Sequence, residues 1–392
     1  MKTIRVVTII SWVVISLVLL GLVGWFVTGT VFGIRPAWID RNLPFRVGIG
    51  GLESLTGPFG VVTRTDNIYV EGIDSISIDW IAGDIALRPY DGDVIQLTER
   101  AQRTLHADEM FFADISGSTL EIRFLNPAIR ERIGLMPPKQ LEVLIPTSLA
   151  ENLRQLNVGS ISGRVEIDGL SMDGLSVTAV DVGTTSGDIA LSNLVSKDIA
   201  ANSTSGRITV NSATADNMSL DSTSGAIEVT ETRSDELELD TLSGSITVFE
   251  SSARSLEIDS TSGTVRASGV FDSVVAKTLS GGITLENSAV NSVADVNSTS
   301  GTVSLSGTFH SINAGTLSGA VGIRSIIVPS SINVNTTSGS INVTVPNEGP
   351  VSVNHSSTSG RFESEVPVTL DGSGAQFTFS ALSGNVRLLE LD

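Results

Sequence analysis

The stretch Leu237-Glu-Leu-Asp-Thr-Leu-Ser-Gly-Ser-Ile-Thr-Val248 decides the fold of this 392-residue chain. Leu237, Leu239 and Thr241 alternate with Glu238 and Asp240, and beyond the Ser243-Gly244 pair Ile246 and Val248 flank Thr247. Period two on both sides of a Ser-Gly turn predicts two short half-buried strands meeting at a corner. The pattern returns in Leu256-Glu-Ile-Asp-Ser260 before Gly263, and in Ile332-Asn-Val-Asn-Thr336 before Gly339. Residues such as Glu250 to Ser255 make the return side or a corner of each unit.

Twelve Ser-Gly pairs recur at a nearly fixed interval, with glycines at 163, 187, 206, 225, 244, 263, 281, 301, 319, 339, 360 and 384. The steps are 24, 19, 19, 19, 19, 18, 20, 18, 20, 21 and 24 residues. So regular a period means stacked coils, each supported by its neighbours, and not one globular core. The expected fold is all-β: a single-stranded parallel β-helix, or β-solenoid, with coils of about 19 residues, preceded by one N-terminal transmembrane helix. Parallel strands in register put successive coils ~4.8 Å apart, so eleven steps span ~53 Å. Glycine at each corner suits a positive φ, which a β-carbon opposes.

Two columns follow from the register. The Ser/Thr two residues before each repeat serine (Ser203, Ser222, Thr241, Ser260, Thr278, Ser298, Thr316, Thr336, Ser357) forms a stacked hydroxyl ladder whose members need hydrogen-bond partners. The residue just before each repeat serine runs Thr223, Leu242, Thr261, Leu279, Thr299, Leu317, Thr337. This alternation fits either coils that pack differently at one corner or a double unit of about 38 residues.

The expected organisation is a cytoplasmic N-terminus (1–8), a transmembrane helix (9–32), a Gly-rich linker (33–66), an irregular cap region (67–150) and regular repeats (151–392). The cap region has strand patterns at Asp74–Ala82, Thr119–Phe124 and Leu141–Pro146, with a loop or short helix over 100–114. At the far end Phe362, Phe377, Phe379, Leu389 and Leu391 enrich the apolar content and could close the last coil.

No charged residue lies between Arg5 and Arg35. Ile9 to Val27 would make a helix of ~29 Å, close to the hydrocarbon thickness. Trp12, Trp25 and Trp38 lie near or beyond its ends, where amphipathic rings favour the interface. No Ala-x-Ala-like site follows, which favours an uncleaved anchor over a signal peptide. The rest would then lie outside the cytoplasm. The net charge is −19; residues 1–35 hold Lys2, Arg5 and Arg35 and no acid, which leaves 21 basic against 43 acidic residues, or −22, for the remainder. Such a surface repels nucleic acid. The chain has no cysteine, which excludes disulfides, thiolate metal sites and a cysteine nucleophile.

These features together resemble the bacterial DUF4097 family, whose members carry an adhesin label. The resemblance rests on the opening from Ile76 through Gly83 to Pro89-Tyr-Asp-Gly-Asp93, the Leu141–Pro146 strand and the Thr/Leu-Ser-Gly-x-Ile/Val repeats. It implies a right-handed parallel β-solenoid on the bacterial cell envelope, sometimes membrane-anchored, and it brings no catalytic motif.

Asp221, Asp240 and Asp259 share one column, continued by Asn202, Asn297 and Asn335 and interrupted by Lys277 and Gly315. Stacked carboxylates could offer oxygens to calcium, although an ordinary solvated acidic face is the preferred reading. His106, His310 and His355 are scattered, and Asp84, Asp91 and Asp93 around Tyr90 read as a Pro-Tyr-Asp-Gly turn. No catalytic residue and no cofactor is expected. The expected function is a membrane-anchored envelope protein with a binding, adhesin-like or structural role; the alternative is a carbohydrate-active β-helix lyase or hydrolase. Expected partners are the lipid bilayer through residues 9–32 and a cell-wall or extracellular glycan or an envelope protein, but no nucleic acid.

Overall fold

The computed structural model describes residues 60–126, 136–150, 153–170, 177–369 and 372–391. The expected cytoplasmic segment 1–8 and transmembrane span 9–32 lie outside them, and no helix among the described residues is long and apolar enough to cross a membrane.

The strands form a parallel stack in which each rung is one coil. Ile189–Ser203 pairs in register with Ile208–Ser222, and the later rungs continue through Ile246–Ser260, Val265–Thr278, Ile283–Ser298 and Val303–Ser318. Alternation puts aliphatic side chains inside: Leu237, Leu239, Ile246 and Val248 are all at most 1% exposed. Each rung has one inner row on either side of the Ser-Gly corner, which the burial patterns of the strands repeat.

Thirteen glycines form the corner column, from Gly83 through Gly163 to Gly339, then Gly384, then Gly360. A Cβ on any of the twelve beyond Gly83 would overlap the carbonyl oxygen of the glycine one rung away. Close approach, not backbone conformation, is therefore what demands glycine. Within the twelve Ser-Gly pairs only Gly163 and Gly384 have a left-handed φ, at 123° and 155°, so the expectation of positive φ at every corner fails. A second bend is left-handed without glycine in five rungs, at Asn193, Ser212, Glu231, Glu250 and Asn287, with φ between 48° and 52°.

Both ends depart from chain order. At the C-terminal end, Gln376–Ser383 pairs with Ser331–Ser338 on one side and with Val351–Ser359 on the other. The last coil in sequence is thus the last but one in space, which corrects the simple reading that Gly384 lies beyond Gly360. At the N-terminal end, Ser75–Ala82 lies between Thr119–Arg123 and Gln155–Ser162. The first coil is likewise the second in space. Beyond it the parallel stack ends in antiparallel strands: Lys139–Pro146 pairs with Val94–Ala101, which pairs with Val61–Tyr69. The linker expected over 33–66 therefore stops short of Val61, because Thr63 already bonds Glu99 across this ladder at 2.7 Å. Residues 102–111 form an irregular loop.

The double unit is present between Gly263 and Gly339, where steps of 18 and 20 residues alternate. The short rungs skip a residue at the bend after Val265–Ala267, and again after Val303–Leu305. Each has a left-handed glycine there, Gly269 or Gly307, and two residues later a fully buried phenylalanine, Phe271 or Phe309. The longer rung between them has Val290 in that row.

Candidate functional site

The hydroxyl ladder closes the corner from inside. Ser222, Thr241, Ser260, Thr278 and Ser298 each accept a hydrogen bond from the glycine N–H three residues on, at 2.8–3.0 Å. Ser298 and Thr316 also donate to the glycine carbonyl of the previous rung, at 2.9 and 3.1 Å. These buried hydroxyls are satisfied within the fold and belong to the scaffold.

Outside this ladder lies the Thr/Leu edge. Leu242, Leu279, Leu317 and Leu382 are 51–55% exposed, while Thr223, Thr261, Thr299 and Thr337 are half-buried. In chain order the alternation breaks at Thr337, Thr358, Leu382. In space it does not, because Leu382 sits between Thr337 and Thr358. From Leu242 to Thr358 eight successive rungs alternate without exception.

Beside the edge runs an outward column of Asn202, Asp221, Asp240, Asp259, Lys277, Asn297, Gly315, Asn335, Ser380 and Ser356. The structure does bring Asp221, Asp240 and Asp259 onto adjacent rungs, with Glu238 and Glu257 on the same face. Partial burial, then the charges of Asp221, Glu238, Asp259 and Glu257, push the Asp240 carboxyl up to about 7. Burial and Glu238 push Asp221 to about 6. Burial also raises Asp259, which Lys277 opposes. Lys277 lies 3.7 Å from Glu257. Among the described residues, no three acidic or histidine side chains converge as a metal ion requires. The carboxylates run along the rod as a half-buried row instead of enclosing a point. Further along, where Gly315 interrupts the column, a groove of about 520 Å³ lies open between Asn297, Asn335 and Ser356 on one side and Leu317 and Leu382 on the other.

The other acidic and histidine residues take structural places. Asp84 accepts the Arg164 N–H of the next rung at 2.9 Å, as Asp188 does for Arg207 at 2.8 Å. The Tyr90 hydroxyl donates to the Val94 carbonyl, which closes the expected turn. His106 is exposed in the loop, His310 lies 3.4 Å from the Ser330 hydroxyl, and His355 stacks on Phe362 in the outermost rung. They occupy different parts of the stack.

One charged centre was not foreseen. Lys139 and Glu99 form a fully buried ion pair at 2.7 Å beneath the antiparallel cap. The Lys139 ammonium donates to the Glu109 and Phe124 carbonyls as well and lies 4.1 Å above the Phe124 ring. Glu99 accepts from the Phe111 N–H at 2.9 Å and from Thr63. Burial pulls the Lys139 ammonium below its ordinary range, against the pull of Glu99. Two of these contacts, at the Glu109 carbonyl and the Phe111 N–H, tie the 102–111 loop to the stack, so the pair fastens the cap.

A stack of this kind, with the Ser-Gly corners and the irregular first coil, is that of the Toastrack DUF4097 family: its model matches residues 73–271 and 269–376, together 304 of 392 residues. The chain belongs to this family. A crystal structure of a candidate cell adhesion protein from Clostridium sporogenes is similar over 84% of this chain and 98% of its own, at 6% identity and a TM-score of 0.19. Those values add nothing to the fold read from the strands. No curated protein matches the chain.

Proposed function

We propose that the chain is a non-catalytic, membrane-anchored rod of the bacterial cell envelope, held by residues 9–32, that works by presenting repeated outer columns in an adhesin-like or structural role. The observation that carries this reading is the continuity of those columns. Between Gly187 and Gly339 no step exceeds 20 residues, so no long loop rises over a strand face to enclose a substrate. The groove beside Gly315 is open along its length and lined by neutral side chains. The family membership supports a scaffold reading, since the matched region is the repeat itself. The acidic surface disfavours nucleic acid and suits a polymer or protein with neutral or cationic groups.

The test is binding of the purified full chain, in detergent, to glycan arrays and to isolated cell walls. Saturable retention with no release of reducing ends or unsaturated sugars agrees with the proposal. Turnover of any glycan ends it. Membrane fractionation of a variant lacking 9–32 checks the tether: the chain should leave the membrane pellet.

A further inference from the structure

The Thr/Leu edge lies outside the buried core of the rod. Its four leucines are about half exposed and its threonines lie outside the closed hydroxyl ladder, so the buried core leaves half of each leucine free. Yet the order survives the crossover at the C-terminal end, where tandem repetition alone would not place a leucine between Thr337 and Thr358. An ordered, exposed comb of large and small side chains calls for something that reads it.

We propose that two copies of the chain pair antiparallel along this edge, from the Leu242 rung to the Thr358 rung, each leucine seating against a threonine of the other copy. Eight alternating positions read backwards give their own complement. A two-fold axis between the Thr299 and Leu317 rungs sets Leu242 against Thr358, Thr261 against Leu382, Leu279 against Thr337 and Thr299 against Leu317. A two-fold contact is self-complementary by nature.

The flanking columns are compatible with this direction. The antiparallel match brings Asp240 and Glu238 beside Ser356 and Asn354 of the second copy, and Asp259 and Glu257 beside Ser380 and Thr378. Hydroxyls and amides can donate to those carboxylates. A parallel two-fold match would instead set each leucine against the same leucine and each threonine against the same threonine of the second copy. Gly315 lies next to the axis and removes a side chain where the two faces approach most closely. Eight rungs extend ~34 Å. With one flanking column on each side, such a contact reaches the lower end of the ~1,200–2,000 Å² of specific interfaces.

The arrangement has a direction. The strand Val61–Tyr69, where the described chain begins, belongs to the cap at the Gly83 end of the stack. Antiparallel rods overlapping only from Leu242 onward point these caps away from each other. Resting on the anchored reading proposed above, the pair would join chains held in two facing membranes.

Cross-linking tests it, because the chain has no cysteine to confuse the result. In the full chain in detergent, Thr299→Cys should link to itself with a short thiol reagent, since the two copies sit about one rung apart there. Leu242→Cys should not link to itself but should link to Thr358→Cys when the two are mixed. Leu242→Cys linking to itself would mean a parallel pair, and no link at Thr299→Cys would mean no pair; either overturns the proposal. The Leu279→Asp/Leu317→Asp variant should keep its circular dichroism spectrum and weaken sedimentation-measured dimerisation at least about 100-fold. Unchanged dimerisation would also overturn it. Vesicles bearing the full chain should clump, and those bearing this variant should stay dispersed; vesicles that stay dispersed although Thr299→Cys links would refute the facing-membrane consequence. Glycan binding without self-pairing would sink this proposal while leaving the envelope function standing.

Discussion

The middle of the stack and its two ends solve the same problem differently. From Gly187 to Gly339 each rung rests on the one before it in sequence, and every aliphatic row is covered above and below. At each end the outermost rung comes from elsewhere in the chain, with the terminal coil wedged beneath it. The cores differ too. The middle is aliphatic, with Phe271 and Phe309 on the short rungs; the C-terminal end adds Phe377 and Phe379, and the N-terminal end has Trp80, Phe124 and a buried ion pair. A repeat can be extended by copying, but it can be stopped only by breaking its own rule.

Cutting the chain after Ala375 should have the largest effect. It removes the rung that seats Val351–Ser359, so hydrogen exchange should show 351–369 unprotected while Ile208–Ser318 stays protected. Retained protection of 351–359 would mean that this strand settles directly on Ser331–Ser338 and that the wedge is dispensable. Next comes Lys139→Met, which strands Glu99 in the core and should destabilise the cap by about 3–5 kcal/mol in chemical denaturation. The Lys139→Met/Glu99→Leu double variant should recover much of that loss. In the middle, Gly244→Ala places a methyl group onto the Gly225 carbonyl and should cost about 3 kcal/mol. Gly322→Ala has open space around it and should stay within about 0.5 kcal/mol. Thr241→Val leaves the Gly244 N–H without its acceptor and should cost about 1–3 kcal/mol.

The smallest effect is a pH dependence confined to the middle. Asp240 and Asp221 hold their protons up to about 7 and about 6 in the folded rod, against ~3.9 in the unfolded chain. Between those values the folded state binds more protons, so stability falls as pH rises through that window. Asp181 and Asp259, also raised, act in the same sense, whereas the lowered Asp74, Asp168 and Glu109 titrate below it. Melting should occur about 2 °C or more higher at pH 5 than at pH 8, and Asp240→Asn should flatten the difference. An unchanged slope in that variant would place the dependence elsewhere.

The coil period, the hydroxyl ladder and the acidic column were legible because each repeats, and repetition in sequence becomes register in space. The order of the end rungs was not, since a period counts coils without saying which rests on which. One clue was present: the Thr/Leu alternation fails in sequence at Thr358 and is restored only if Leu382 comes first. The glycines were found, but the cause assigned to them was wrong, because crowding by a neighbouring coil leaves no trace within a single repeat. Lys139 and Glu99 are 40 positions apart in chain order and belong to no repeated pattern, so only the fold unites them.

Because Gln376–Ser383 lies under Val351–Ser359, a chain still being synthesised cannot finish its own rod. The outermost layer has no seat until residues 376–383 have been delivered, and a product that stops before them is left with a loose, digestible tail.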